Sequence, residues 1–196
     1  MKIGGIILSG GASRRMGTPK ALLLIENETF LDRMIRLFAE VCDPVIVVLG
    51  HNSEQIRSGI QRGSQVSFAV NLDPERGMLS SLQCGLEALP ATAGAVMFMP
   101  VDHPGIQGAT LEKLAAAMRE GIAPLIIPTH RGSRGHPVCI TRPLIAELLA
   151  LPASAQARDV IHRHLPEACL MAVDDSAVTT DIDDPAAYAE LLTHLP

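Results

Sequence analysis

The sequence predicts an α/β fold of three layers, a mostly parallel sheet covered by helices on both faces. Short β-rich apolar runs alternate with segments of helical period along the first two thirds of the chain. Several of those runs, residues 45–49 above all, are apolar almost throughout, as a strand buried on both faces must be. At 196 residues the chain can bury one substantial core without help from a disulfide or a structural metal. Apolar residues make up 47% and charged residues 19%, which fits a globular protein and excludes a disordered one. Tryptophan is absent and aromatics reach only 3%, so the core has to be built from Leu, Ile, Val, Ala and Met. No internal repeat or low-complexity linker interrupts the pattern, and residues 1–196 are expected to form one domain.

The first strand is expected at residues 3–8. A helix follows, because Leu31, Met34, Ile35, Phe38 and Val41 recur at spacings of three and four, and Thr29 stands ready as its N-cap. Strands at residues 45–49, 66–70, 95–99 and 125–127 then alternate with helices at 53–62, 78–89 and 111–118. The rhythm breaks after Pro128: residues 129–137 are polar and contain glycine, which reads as a loop, and 138–141 read as a strand returning from it. Helical patterns at 143–150, 158–164 and 185–194 and a strand at 169–173 complete the chain. Ligands of open α/β sheets bind beyond the carboxyl ends of the strands. The loop after Leu8, the loop after Val70 and Asp102 should therefore converge.

A formal net charge of −5 excludes a dedicated nucleic-acid or anionic-membrane binder, since both need a cationic surface. No apolar run approaches the roughly 20 residues that span a bilayer. Residues 3–8 are too short for the apolar region of a signal peptide, and Arg14 and Arg15 follow them rather than precede them. A cytoplasmic location is expected. Cys42, Cys84, Cys139 and Cys169 are scattered with no C-x-x-C pair, which fits reduced cysteines used as small apolar residues.

The strongest local signal is Leu8-Ser9-Gly10-Gly11-Ala12-Ser13-Arg14-Arg15-Met16-Gly17-Thr18-Pro19-Lys20. It follows a buried strand, contains no acidic residue and gathers three positive charges inside an acidic protein. Its glycines let backbone N–H groups approach phosphate oxygens and form an anion-binding nest. Arginine adds planar bidentate contacts and lysine a movable point charge. The P-loop and the dinucleotide fingerprint do not fit, because Gly17 is separated from Lys20 and no G-x-G-x-x-G occurs. Asp102, set between Pro100 and Pro104 after a very apolar run, is placed where a hard cation needs an oxygen ligand. A second carboxylate could come from Asp181, Asp183 or Asp184, with Asp184 equally suited to cap the last helix before Pro185.

The glycine-rich loop resembles the L-x-G-G-x-S-x-R-M-G-x-x-K signature of the MobA-like nucleotidyltransferases, which include the molybdenum cofactor guanylyl- and cytidylyltransferases. Four further segments are similar to the family in the same order: Asn71 with 77–82 (G-M-L-S-S-L), 100–104 (P-V-D-H-P), 134–138 (R-G-H-P-V) and 181–185 (D-I-D-D-P). The resemblance implies a Rossmann-like fold of the nucleotide-diphospho-sugar transferase type, with a mixed sheet of about seven or eight strands. It implies Mg2+-dependent transfer of a nucleoside monophosphate from CTP or GTP to an acceptor phosphate, with molybdopterin as the acceptor and pyrophosphate released. It admits a molybdoenzyme or its chaperone as a protein partner. On that resemblance Leu8, Ser9, Gly10, Gly11, Lys20, Asn71, Gly77, Ser80 and Ser81 bind the nucleotide, and Arg15, Lys20 and Asp102 carry the chemistry. Asp102 and Asp183 hold the metal, and Arg134, His136 and Arg158 meet the acceptor.

Gly10 and Gly11 match the guanylyl branch, whereas residues 77–82 and 134–138 match the cytidylyl branch, so CTP is the expected donor. Where that branch carries G-D-x-G-A-R this chain has S-A-Q-A-R at 154–158, which keeps Arg158 alone and loosens the assignment of the acceptor. A sugar-phosphate or methylerythritol-phosphate transferase and a non-catalytic nucleotide-binding, chaperone-like module are the alternatives.

Overall fold

Side chains of β1 (Ile3–Ser9) alternate between two apolar layers: Ile3 and Ile7 enter one, Ile6 and Leu8 the other. The structure, a computed structural model, describes residues 1–193. After β1 come a small hairpin, β2 (Leu24–Ile25) and β3 (Glu28–Thr29), then α1 (Phe30–Ala39), β4 (Val45–Leu49) and α2 (Ser53–Gly59). Next are β5 (Ser67–Val70), α3 (Met78–Glu87), β6 (Ala95–Pro100), α4 (Gly108–Glu120), β7 (Leu125–His130), β8 (Ser133–Arg134) and β9 (Val138–Thr141). The described residues end with α5 (Arg142–Leu149), α6 (Ala157–Arg163), β10 (Cys169–Ala172) and α7 (Pro185–Thr193).

An eight-stranded sheet runs β10-β7-β9-β6-β1-β4-β5, with β8 paired to β7. Strands β5, β4, β1 and β6 are mutually parallel, and β9 enters antiparallel between β6 and β7. One face carries α1, α2 and α4, the other α3, α5 and α6, each pressing Leu, Ile, Val or Phe into the sheet. This is the three-layer mixed α/β arrangement that the sequence predicts. Chain order turns at β1, from which β4 and β5 extend to one side and β6 to the other. That reversal opens a crevice at the carboxyl ends of β1 and β6.

The N-cap expected at Thr29 is present: its hydroxyl accepts the Asp32 N–H at 3.0 Å. Several boundaries differ, each for a physical reason. The helix expected over 53–62 stops at Gly59, because the N–H groups of Gln61 and Arg62 are taken by the buried carboxylate of Asp32, at 2.9 and 2.8 Å. The helix expected from residue 111 begins at Gly108, where Asp175 accepts from the Gln107 N–H and the Thr110 hydroxyl. Residues 129–137 are partly a hairpin, with Thr129 and His130 pairing with Arg134 and Ser133. His194, placed in the last helix by the sequence pattern, lies outside the described residues.

Candidate active site

Register places the two candidate segments side by side. Leu8 of β1 pairs with Pro100 of β6, and the Val101 N–H donates to the Leu8 carbonyl at 2.9 Å. The loop after β1 and the Asp102 turn therefore leave the sheet together. Within the loop Ser13 adopts φ +50°, its carbonyl accepts the Met16 N–H and its hydroxyl accepts the Lys20 N–H, both at 3.0 Å. This left-handed position at a non-glycine residue folds the loop back so that Lys20 opens a short 3-10 turn over residues 20–22.

The Lys20 ammonium then lies between two carboxylates. It donates to Asp102 Oδ2 at 3.2 Å and to Asp183 Oδ1 in a closer contact, and Arg15 holds Asp183 Oδ2. Lys20 hydrogen bonding, opposed by partial burial and reinforced by Arg15, holds the Asp183 carboxyl below its ordinary value. Asp102 Oδ1 is buried and has no hydrogen-bond partner. Asp183 arrives because the Ile182 N–H donates to the Asp102 carbonyl at 2.8 Å. Of the three aspartates left open by the sequence, Asp183 faces Lys20. Asp184 instead caps α7, its carboxylate accepting the N–H groups of Ala186 and Ala187 at 3.0 and 2.9 Å, and Asp181 is exposed.

A cleft of about 360 Å³ opens over this cluster. Leu8, Ser9, Gly10, Gly11, Arg15 and Lys20 line it from one side, Gly77 and Ser81 from a second, and Asp102 and Asp183 from a third. The three segments that the topology should bring together do meet. Two expected nucleotide contacts stand behind the wall: Asn71 Nδ2 donates to the hydroxyls of Ser80 and Ser81, and Ser80 donates to the Gly77 carbonyl at 2.8 Å. Gly10 packs against this wall, since a Cβ there would lie 3.0 Å from Ser81 Oγ. Arg134, His136 and Arg158 do not line the cleft. Arg134 and Arg158 are exposed, on β8 and on the first turn of α6, and His136 packs on the His103 ring.

Three residues that build the site have no role assigned by the sequence motifs: Ser13, although it stands in the loop signature, His103 and Asp175. His103 is buried beside Asp102, with its ring Nδ1 3.2 Å from the Ala177 carbonyl, which makes that nitrogen the donor.

Comparison with known proteins bears on the family and the fold. The MobA-like NTP transferase domain matches residues 5–168. The molybdenum cofactor cytidylyltransferase of Escherichia coli K12 is 25% identical over 181 residues, 92% of this chain and 90% of that protein. A probable molybdenum cofactor guanylyltransferase of Opitutus terrae is 35% identical over 122 residues, 61% of this chain and 57% of that protein. Among solved structures, Rv0371c from Mycobacterium tuberculosis H37Rv superposes with a TM-score of 0.86 at 26% identity, covering 98% of both chains. A glycine-rich basic loop, a pair of carboxylates at the crevice and a family match over most of the chain lead to one assignment: the protein belongs to the MobA-like NTP transferase family and is a nucleotidyltransferase.

Proposed function

We propose that the protein transfers CMP from CTP, in preference to GMP from GTP, to the phosphate of molybdopterin, in a Mg2+-dependent step of cytoplasmic molybdenum cofactor maturation. The observation that carries this reading is the Lys20 ammonium held between Asp102 and Asp183 at the foot of a glycine-rich loop. An acceptor phosphate oxygen attacks the α-phosphorus, the bond from that phosphorus to the bridging oxygen breaks, and pyrophosphate leaves with the electron pair. A phosphate monoester has a second pKa near ~6, so the nucleophile is already ionised and needs no general base. The work left to the protein is aligning two anions and offsetting their charge.

Arg15 and Lys20 hold the β- and γ-phosphates, Lys20 giving up its carboxylate partners for them. Asp102 and Asp183 fit Mg2+: both are hard oxygen donors on one ammonium, and Asp102 Oδ1 is free of hydrogen bonds. Magnesium is commonly held by only one or two carboxylates plus substrate phosphates. No group of three or more His, Cys, Asp or Glu that could hold a metal ion occurs among the described residues. When bound, the ion offsets charge on the α-phosphate and the leaving pyrophosphate. Arg134 and Arg158 supply exposed guanidinium groups for an anionic acceptor.

Preference for CTP is supported by the long match to a named cytidylyltransferase, against shorter matches to guanylyltransferases. One observation favours GTP as a second donor: a Cβ on Gly11 would meet nothing within 4 Å, which leaves room beside the base. Equal concentrations of CTP and GTP, offered with Mg2+ and a panel of molybdopterin, sugar phosphates and methylerythritol phosphate, test the reading, with products resolved by mass. A cytidylyl-molybdopterin product is expected. A dominant GMP adduct overturns the donor, turnover only with another acceptor overturns the acceptor, and nucleotide binding without turnover overturns the catalytic reading.

A further inference from the structure

The segment that delivers Asp183 lies outside the sheet, yet it is pinned along its length. Asp175, buried at 3% exposure, anchors its start: one carboxylate oxygen accepts from the Gln107 N–H at 3.0 Å and the Thr110 hydroxyl at 2.7 Å, the other from the Ala177 N–H at 3.1 Å. Further along, the Val178 carbonyl turns toward the Arg134-Gly135-His136-Pro137 turn and the Ala177 carbonyl toward His103. The His136 N–H donates to the Val178 carbonyl at 2.8 Å, and His103 Nδ1 donates to the Ala177 carbonyl at 3.2 Å. The His103 and His136 rings pack with centroids 5.0 Å apart. Only glycine fits before His136, because a Cβ on Gly135 would sit 2.1 Å from the Val178 oxygen.

Such restraint answers a physical need. Asp102 and Asp183 carry like charge, and Thr180 and Asp181 beside them are exposed, so an unpinned segment would let Asp183 swing into water. The His136 ring contributes by shape: its Nδ1 is buried without a hydrogen-bond partner, and the ring packs against that of His103 at a tilt of 56°.

We infer that the Arg134–Pro137 turn is a clamp, in which His136 acts through His103 and the carbonyls of Ala177 and Val178 to set Asp183 against Asp102. His136 is thus a positioning residue for the metal pair and not a contact to the acceptor. The inference rests on the proposed reading of Asp102 and Asp183 as the Mg2+ carboxylates.

Binding of Mn2+ to the full chain, measured by calorimetry with CTP present, tests it. His136→Ala and Gly135→Ala should each weaken Mn2+ binding tenfold or more. His136→Phe, which keeps a flat ring but no hydrogen-bonding atom, should stay within about threefold of the parent. In an Asp183→Asn background His136→Ala should add nothing further, because both changes act on one ligand. If His136→Ala does not fold, His136→Leu, which keeps volume without the flat face, takes its place in the same comparison. Unchanged Mn2+ affinity in the truncated variants, a Phe variant as weak as the Ala variant, or additive effects in the Asp183→Asn background would each overturn the clamp. Failure of the parent protein to bind Mn2+ at all would instead remove the metal reading on which the clamp rests.

Discussion

A single ammonium serving two carboxylates makes Lys20 the residue whose replacement has effects of opposite sign on the two ligands. On the proposed reading Lys20→Met takes away a charge-assisted contact to the nucleotide phosphates, and NTP affinity should fall by about 1.5–3 kcal/mol. The same change frees Asp102 and Asp183 of their internal cation, so divalent binding without nucleotide should tighten. Calorimetry of the variant with CTP and, separately, with Mn2+ checks both signs; a variant that loses or keeps both together refutes the exchange. Gly10 yields a second expectation. A methyl group there would press on Ser81 Oγ at 3.0 Å and narrow the space beside the base. Gly10→Ala should therefore raise the CTP-over-GTP ratio of kcat/KM, by roughly tenfold if the loss resembles that of one methylene-sized fit.

Residues such as Lys20 and Asp102 are legible in sequence because chemistry demands their type at a fixed distance from a strand end. His103 and Asp175 are not. Their partners are the Ala177 carbonyl and the start of α4, groups brought near only by the finished fold.

At the scale of elements, strands β1, β4 and β6 are legible because burial on both faces writes itself as an unbroken apolar run. The β2–β3 hairpin is not, since two-residue strands have no period to detect. The end of α2 depends on Asp32, a residue of a different helix. Its carboxylate, 3% exposed, accepts from the Gln61 and Arg62 N–H groups and from the Thr29 hydroxyl at 2.7 Å. Asp32→Ala should thus cost more than loss of the Thr29 cap. It strands two backbone donors and a hydroxyl at once, for about 3 kcal/mol, against about 1 kcal/mol for Thr29→Ala. Urea denaturation of the two variants should show that order, and equal losses would show that Asp32 does no more than support the cap.

For the molecule as a whole, His136 ties folding to pH. Burial, and then the neighbouring His103, hold its imidazole pKa down to about 4 from an ordinary 6.5. The folded protein therefore refuses a proton that the unfolded chain accepts. Between those two values the unfolded state binds more protons, so stability rises with pH there. The contribution is fully present above pH 6.5 and is lost as pH falls toward 4; the interval corresponds to a few kcal/mol, on the order of 3. The carboxyls of Asp183 and Glu28, held low chiefly by Lys20 and Arg36, act in a separate window. Their contributions are present above their ordinary values of 3.8 and 4.5 and fade only as pH falls below these. The His136→Phe variant removes the proton site while keeping a ring in the clamp. Thermal unfolding of the parent should lose stability steadily from pH 6.5 to 4.5, whereas the variant should stay nearly flat over that range and converge with the parent's steep loss only below it. A variant whose slope between pH 6.5 and 4.5 equals the parent's would place the responsible proton on another group.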